Sequence, residues 1–468
     1  MKRNLLVVAL ILAMLLTLCA CGESQPVEAD PTEAKVETTV SKVTEPTAPA
    51  TIPTEAEQIS TKVTEETVPE ELYELKVGAG TAEIHFDPSI FPTEGFSGEI
   101  NDYPHVRILL LEAGERAAIV ACELVNTPDE VITGIQEMVA EKAGVPTENI
   151  WVHSTHAITT PHNPGNEAVL TAAEEALDQA LASFAPTKMG VGTIECDVNA
   201  NRNIETPEGV FGGPYYGPGS TEYSNKTMTI IRFDGEDGNP IAFFMSYGIK
   251  PTAIDNSEMD AGTRVISSDV PGRACTMVEN AFGVPCLFCM PATGDQYPKE
   301  MTVYYALNEE GNRMVEIDLG VEAGLEIMNR LGDEMGNKAI ELADTITCIE
   351  DASTIKFSTD SFTASERRMA QVNEVTVEVS TLRLGDLVFV GFKQELDAET
   401  EKQIWESSPF EHTLLISFLN GDGKYMPHDA AYDYNNGKGT YEVLKSGFQR
   451  GPAEQLVEMA LDLLNELK

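Results

Sequence analysis

The first 71 residues of this 468-residue chain limit where it can fold. Between Gly22 and Glu71 the sequence consists mainly of Thr, Glu, Pro, Ala and Val, with 12 acidic residues, 3 basic residues and no aromatic residue. A segment with so little apolar surface and so much like charge cannot bury a core. We therefore expect residues 21–71 to form an extended acidic stalk, and a folded domain to occupy residues 72–468.

The N-terminus has the pattern of an export signal. Lys2 and Arg3 precede an apolar run from Leu5 to Leu18, which is too short to favour a membrane-spanning helix. The following Leu-Cys-Ala-Cys-Gly, which ends at Gly22, resembles a bacterial lipobox. The resemblance implies that residues 1–20 are removed and that Cys21 carries lipid, including a fatty acid such as palmitate. An ordinary secretory signal with a coincidental cysteine is the alternative. We expect a protein on the extracytoplasmic face of the bacterial cell membrane, held there by this lipid anchor.

The charge of the chain excludes two classes of partner. There are 76 acidic and 31 basic residues, for a formal net charge of −45. Nucleic-acid binding depends on neutralising phosphates with Lys and Arg, so it is excluded. The same excess argues against close adsorption to anionic lipid, so we expect membrane contact through the lipid anchor only. The oligomeric state stays open.

Six cysteines remain in the expected domain, and most lie in apolar runs, where a thiol behaves as a small hydrophobe. Cys286 and Cys289 form a Cys-x-x-Cys pattern, but it lies inside the strand-like run Val-Pro-Cys-Leu-Phe-Cys-Met. Strand alternation directs these two side chains to opposite faces, which is poor geometry for binding one metal ion. The disulfide state stays open for all six: Cys122, Cys196, Cys275, Cys286, Cys289 and Cys348.

Strand and helix patterns alternate along residues 72–468 without a repeat period, which predicts a single large α/β domain with mixed sheets flanked by helices. Residues 106–125 are typical of a hairpin broken at Gly114-Glu115. Thr127 is predicted to cap a helix that starts at Pro128 and ends at Gly144. A long helix is predicted around residues 313–345, and a last helix over residues 453–467.

The run Asn149–His162, Asn-Ile-Trp-Val-His-Ser-Thr-His-Ala-Ile-Thr-Thr-Pro-His, carries three of the chain's seven histidines. It starts as a strand and continues into a loop, where a fold can present reactive side chains. Histidine is the commonest metal ligand and a general base near neutral pH. His153 can also simply pack within the strand, and His162 can be solvated. His156 is the strongest functional candidate.

Four further polar groups follow predicted strands. They are Asp269 in Ile-Ser-Ser-Asp, Asp295 in Ala-Thr-Gly-Asp, Glu395 in Lys-Gln-Glu, and Tyr425 in Gly-Lys-Tyr-Met-Pro. Each could be a solvated turn. Because the same pattern recurs four times, we expect strand ends of one domain to converge on a common cleft.

These segments together resemble the catalytic domain of the neutral (non-lysosomal) ceramidase family, over residues 76–468. The resemblance implies that family's α/β fold and a zinc-dependent amidase that cleaves the N-acyl bond of ceramide. The matching segments are VGAGTAEI (77–84), TH (155–156), ISSDVPG (266–272), ATGD (292–295), the strand ending at Glu395, and YMP…YE between Tyr425 and Glu442.

The resemblance also implies a zinc ion held by two histidines, a glutamate and a tyrosine. Three of these ligands match His156, Glu395 and Tyr425. An open zinc site would activate water and polarise an amide carbonyl.

The resemblance places further residues around the cleft. It implies that Arg202 and Tyr441 line the substrate cleft, and that Asp269 and Asp295 orient their neighbours. The predicted catalytic positions are Asp295, Tyr297 and Lys250.

Three departures from the family pattern put zinc chemistry in question. Lys250 stands where the second zinc histidine is expected, Ile158 replaces another histidine, and Tyr297 replaces a serine. In one hypothesis the Lys250 nitrogen occupies or adjoins the metal position and the cleft has no zinc. In the other, zinc is bound, with His162 or His153 as the replacement ligand.

Three functions therefore compete. The first is an amide-bond hydrolase acting on an N-acylated or related small, lipid-like substrate. The second is a zinc-free binding protein for an anionic ligand, with Lys250 and Arg202 as a cationic pocket. The third, a Ser-His-Asp hydrolase, has weak support, because Ser267 and Ser268 lack the flanking glycines of a nucleophile elbow.

Overall fold

A computed structural model describes residues 71–206, 209–212, 222–254, 264–310, 314–368 and 371–468. These residues belong to one compact unit, Pro69–Lys468. The predicted signal peptide, the lipid attachment at Cys21 and residues 21–70 of the predicted stalk lie outside the described residues. Within the described ranges, no helix has the length and apolar character needed to span a bilayer.

The main strands form three groups of four, and we call each group a quartet. In every quartet the first three strands pair antiparallel in sequence order. A helix then leads to a fourth strand, which lies parallel to the third. The order strand–strand–strand–helix–strand–helix therefore occurs three times, a structural repeat that the sequence does not reveal.

The strands of the first quartet are β1 (Lys76–Glu83), β2 (His105–Ala113), β3 (Glu115–Cys122) and β4 (Ile150–Ser154). Those of the second are β5 (Ala185–Glu195), β6 (Thr227–Gly235), β7 (Pro240–Ser246) and β8 (Cys286–Cys289). Those of the third are β9 (Ile355–Arg368), β10 (Gln371–Leu384), β11 (Leu387–Phe392) and, after the two-residue β12 (Glu395–Leu396), β13 (His412–Ile416). A further short strand, β14 (Tyr425–Met426), pairs parallel to β12.

Two helices accompany each quartet. They are α1 (Asp129–Ala143) and α2 (Asn166–Ser183) for the first, α3 (Asp269–Phe282) and α4 (Gly320–Ala343) for the second, and α5 (Ala398–Ser407) and α7 (Pro452–Glu466) for the third, with the short α6 (Tyr441–Lys445) before α7. Five two-stranded ribbons complete the described strands: Tyr73–Glu74 with Ala352–Ser353, Phe96–Ile100 with Arg264–Ile266, Asn199–Asn201 with Gln296–Pro298, Asn203–Thr206 with Gly209–Gly212, and Val303–Leu307 with Met314–Asp318.

The three quartets surround one apolar core and carry their helices on the outside. Pairing of β1 with β5 joins the first two quartets into an eight-stranded sheet. The inner faces of all three quartets contribute to the central core, for example through Leu109, Phe244 and Phe389. Each outer face packs against its own two helices in a separate core. Apolar side chains on both faces of a strand explain why most strands read as continuous apolar runs.

The segment after β13 ties the three quartets together at one end. The backbone N–H of Ser417 donates to the carbonyl of Met290 at 3.0 Å, and that of Asn420 donates to the carbonyl of Val152 at 2.7 Å. The N–H of Leu419 donates to the carbonyl of Phe392 at 3.0 Å. These bonds hold the carboxyl ends of β4, β8 and β11 next to one another, and this is the end at which the candidate site lies.

The predicted fold class is confirmed, with local differences. Thr127 does not cap α1; its hydroxyl lies 2.9 Å from that of Ser154, and Pro128 is the residue before the helix. The helix predicted from residue 313 starts only at Gly320, because Met314–Asp318 pairs as a strand with Val303–Leu307. The six cysteines of the described residues form no disulfide. Cys286 faces an outer core and Cys289 the central core, as strand alternation predicts.

Candidate functional site

The candidate site lies where the parallel strands of the three quartets end. His156 follows β4, Lys250 follows β7, and Glu395 and Tyr425 follow β11 and β13. We call these four residues the Lys250 site. The carboxyl ends of parallel strands are a common location for binding crevices, because the chain turns away there and leaves side chains accessible.

Lys250 is the centre of this arrangement. Its side chain is 1% exposed, and its ammonium forms an ion pair with the Glu395 carboxylate. The same nitrogen donates a hydrogen bond to the Tyr425 hydroxyl at 3.0 Å. Glu395 and Tyr425 are themselves partners in the β12–β14 pairing, so the backbone fixes both groups beside the lysine.

The electrostatics of these groups favour the charged ion pair. Burial pulls the pKa of Lys250 down, but the Glu395 carboxylate raises it above the ordinary value for lysine. Burial likewise pushes the pKa of Glu395 up, and the positive charge of Lys250 brings it below its usual range. Burial, followed by the charge of Glu395, raises the pKa of Tyr425, so the phenol stays protonated. The lysine is thus a fixed ammonium at neutral pH.

His156 presents a neutral imidazole at the edge of the Lys250 site. Its ring stacks on Phe418, with centroids 4.5 Å apart and planes inclined by 11°. Its Nδ1–H donates to the carbonyl of Val125 at 2.7 Å, which leaves the lone pair on Nε2. Burial lowers the pKa of His156. The residue has a φ of 57°, in the left-handed region that is unfavourable for a non-glycine residue and is found at functional sites.

Arg202 forms a second buried ion pair next to the first. Its Nε donates to Glu442 Oε1 at 2.5 Å, and its NH1 donates to the Tyr297 hydroxyl. The guanidinium carbon lies 4.0 Å from the ring centroid of Tyr441, 4.7 Å from that of Tyr297 and 5.4 Å from that of Tyr425. Its remaining nitrogen, NH2, is buried and has no hydrogen-bond partner among the described residues.

The two predicted orienting aspartates support loops of the site. Asp269 accepts backbone N–H bonds from Ala253 and Ile254, both at 3.1 Å, and so holds the loop that follows Lys250. Asp295 accepts from Asn201 Nδ2 at 2.6 Å and from the N–H of Ala398 at 3.0 Å. Burial raises the pKa of Asp269 to about 6, and burial with nearby carboxylates raises that of Asp295 to about 7.

Neither histidine proposed as a replacement ligand bonds to the site. His162 is exposed, and its Nδ1 lies 2.8 Å from Asn126 Oδ1. His153 is buried within β4, where burial lowers its pKa to about 4. No hydrogen bond or ion pair joins either ring to Glu395 or Tyr425 within the described residues. Ile158 connects the loops instead, through its N–H to the carbonyl of Pro251 at 3.3 Å.

Sequence reasoning missed two acidic groups near the site. Glu442, the buried partner of Arg202, directly follows the predicted cleft residue Tyr441, and a buried guanidinium needs such a carboxylate. Asp397 lies two residues after Glu395, and its Oδ2 accepts a 2.7 Å hydrogen bond from His428. Glu442 could have been found by asking which carboxylate pairs with Arg202, a predicted residue of the cleft.

The groups around Lys250 do not fit a zinc ion held as the family resemblance implies. An ammonium has no lone pair, and that of Lys250 already contacts the oxygens of Glu395 and Tyr425. Among the described residues, no cluster of three or more His, Cys, Asp or Glu side chains could hold a metal ion. The predicted ligands His156, Glu395 and Tyr425 therefore surround a cation supplied by the chain itself.

Comparison with solved structures identifies the fold. The chain is similar to a ceramidase complexed with C2, with a TM-score of 0.64 and 13% sequence identity over 84% of this chain and 75% of the other. It is also similar to the neutral ceramidase from Pseudomonas aeruginosa, with a TM-score of 0.61 and 14% identity over the same shares. The chain has a neutral-ceramidase fold. No family model matches it, and neither does any curated protein.

At this level of identity the similarity establishes the fold alone. The ceramidase fold accounts for the α/β architecture and for the strand ends that meet at the Lys250 site. The chemistry of the cleft has to be argued from the side chains of this chain.

Proposed function

We propose that the domain is a zinc-independent amide-bond hydrolase acting on a small N-acylated molecule outside the cytoplasm. The observation that carries this proposal is the contact of the Lys250 ammonium with both Glu395 and Tyr425 on a ceramidase fold. At the edge of this site, His156 presents a neutral imidazole. The arrangement offers a base, His156, and a hydrogen-bond donor, the Lys250 ammonium, without a metal ion.

His156 would act as the general base. Its Nδ1–H is committed to the Val125 carbonyl, so the Nε2 lone pair can accept a proton from a water molecule. Burial lowers the pKa of the ring and keeps this lone pair free near neutral pH. The water oxygen then forms a bond to the amide carbon.

Lys250 would stabilise the oxyanion that this attack creates. An ammonium has three N–H donors, and two of them serve Glu395 and Tyr425. The third can donate to the carbonyl oxygen as its negative charge develops. The carbon–nitrogen bond then breaks, and His156 returns its proton to the leaving amine, giving a carboxylic acid and an amine. A single, partly neutralised positive charge polarises less than a metal dication, so we expect slow turnover.

The test is amine release from a panel of N-acyl amides that vary in acyl length and head group. We expect His156→Gln to abolish release and the matched control His162→Gln, an exposed histidine of the same loop, to retain it. Activity that is lost with a chelator and restored by zinc would contradict the proposed mechanism. Equal activity of the wild type and His156→Gln would contradict the role of the base.

A binding function is the second candidate, and the pairing of charges favours it. Lys250 and Arg202 are each neutralised by a buried carboxylate, while Arg202 keeps one nitrogen without a partner among the described residues, beside three tyrosine rings. Such a wall could hold an anionic small molecule without reacting with it. Native mass spectrometry of gently isolated protein distinguishes the two functions. A co-purifying anion that is lost in Arg202→Lys, without amine release from any amide, would favour binding.

We also propose that the domain is held at the membrane by lipid on Cys21. The lipobox-like sequence and the acidic stalk support this placement. Metabolic labelling with radioactive palmitate should label the wild type and the matched control Cys19→Ser, but not Cys21→Ser. Labelling of Cys21→Ser would contradict the assignment.

A further inference from the structure

A cavity lies between the second and third quartets, apart from the Lys250 site. It is open to solvent and has a volume of about 150 Å³. Its walls come from the inner face of β5, β6 and β7, from α5, and from the start of β13. None of the residues of the Lys250 site lines it.

One wall of this cavity carries a row of hydroxyl groups. Thr229 of β6 lies directly opposite Thr193 of β5 on one side and opposite Ser246 of β7 on the other. All three side chains line the cavity. Two residues further along β6 the same face carries Ile231, which packs in the central core. The row is therefore polar at positions where the strand pattern otherwise supplies apolar side chains.

The opposite wall, on α5, carries a carboxyl group and an indole. Glu401 is 6% exposed, and its Oε2 has no hydrogen-bond partner among the described residues. A buried carboxyl oxygen without a partner is costly unless a ligand or water supplies a donor. Trp405, one helical turn later, is 42% exposed, although tryptophan has the largest apolar side chain and is usually well buried.

We infer that this cavity binds a small neutral polyhydroxylated molecule, such as a single sugar ring, between the hydroxyl row and the Glu401–Trp405 wall. Hydroxyl groups of the ligand would exchange hydrogen bonds with Thr193, Thr229 and Ser246 and with the Glu401 carboxyl. The apolar C–H face of the ring would pack on the indole of Trp405. This site is independent of the function proposed for the Lys250 site.

The state of Glu401 favours a neutral ligand over an ammonium. Burial raises the pKa of Glu401 to about 8; a hydrogen bond with Asn225 opposes this rise, and the charge of Asp295 adds to it. At neutral pH its acid form predominates, and this form both donates and accepts hydrogen bonds, as a polyol requires. A cation would need the ionised form.

Intrinsic fluorescence can test the inference, because the chain has 2 tryptophans. Trp151 is 1% exposed in the central core, so a change in emission reports on Trp405. We would titrate the full chain with glucose, galactose, N-acetylglucosamine and mannose, with tetramethylammonium as the cationic probe. We expect saturable binding of at least one sugar, which isothermal titration calorimetry should reproduce.

Two variants test the hydrogen bonds. Glu401→Gln and Thr229→Val should each weaken sugar binding by about tenfold or more, because each leaves ligand hydroxyls unmatched. Glu406→Gln, an exposed residue of the same helix, is the matched control and should bind like the wild type. Thermal unfolding curves check that every variant is folded.

Several results would overturn the inference. These are no saturable change with any of the sugars, equal sugar affinity in both variants and the wild type, or binding of tetramethylammonium without any sugar. Loss of sugar binding in His156→Gln would place the ligand at the Lys250 site instead. Because this readout is binding away from the Lys250 site, its failure leaves the hydrolase proposal untouched.

Discussion

Lys250 and Glu395 form a buried ion pair between two different quartets, one residue following β7 and the other β11. The pair lies where the resemblance to ceramidases implies a metal ion. An ammonium so placed supplies one positive charge and hydrogen-bond donors, but no open coordination position.

Lys250→His should create a zinc site. The substitution would supply the second imidazole that the family pattern requires beside His156, Glu395 and Tyr425, and remove the ammonium that excludes a dication. We expect about one zinc per chain in the variant and none in the wild type, measured by elemental analysis of protein purified without chelator.

The matched control for this gain of zinc is Lys299→His, whose lysine pairs with Glu334 outside the Lys250 site. It should bind no more zinc than the wild type. Near-stoichiometric zinc in the wild-type protein would refute the assignment of Lys250 to the metal position.

Replacing one partner of the ion pair should lower the free energy of unfolding far more than replacing both partners together. Lys250→Met leaves the Glu395 carboxylate buried without its cation, and Glu395→Gln leaves the ammonium without its anion. Each single change should lower the free energy of unfolding by about 3–5 kcal/mol. The double variant should recover about 2 kcal/mol or more relative to the sum of the single changes. Urea unfolding of the four proteins gives the coupling energy, and strictly additive losses would argue against the pair.

Stability should fall between pH 6.5 and about 9 because of His428. Burial lowers the pKa of this histidine, but the hydrogen bond and charge of Asp397 raise it from 6.5 to about 9. The folded state then holds a proton that the unfolded state has released. The stabilisation is complete below pH 6.5 and is lost as the pH rises through 9, about 3 kcal/mol in all.

The comparison that isolates this effect is wild type against His428→Gln. The difference between their unfolding free energies should shrink across this pH window. His85→Gln, at an exposed histidine, should follow the wild type throughout. If the difference in unfolding free energy between wild type and His428→Gln stayed constant with pH, a raised pKa of His428 would be excluded.

Ceramide itself should be a poor substrate. Tyr297 stands where the family resemblance implies a serine, and its hydroxyl is engaged by Arg202. We expect no fatty-acid release from ceramide at ordinary enzyme concentrations, measured by chromatography of the lipid extract. Clear turnover that Glu395→Gln abolishes would contradict this expectation.

The convergence of the site could be predicted from the sequence, because it follows from strand ends. His156, Glu395 and Tyr425 each lie in the segment that follows an apolar strand, and parallel strands present such segments at one edge. The faces of Cys286 and Cys289 followed equally from alternation. These features depend on short stretches of sequence.

The features that escaped prediction depend on partners distant in sequence. Strand β9, Ile355–Arg368, mixes polar and apolar residues and is defined by its pairing with β10. Glu442 lies 240 positions from Arg202, so no local pattern connects them. The threefold repeat of strand order is invisible because geometry repeats while side chains do not.

The backbone bonds of Ser417, Leu419 and Asn420 to the ends of β8, β11 and β4 have a consequence for how the protein matures. During synthesis the first two quartets can pair and bury their outer faces while the cleft is still missing one side. The segment Ser417–Asn420 can form these bonds, and so hold the strand ends together, only after the third quartet has been synthesised. Truncation before Ser417 should therefore abolish the cleft, even where the preceding sheet still folds.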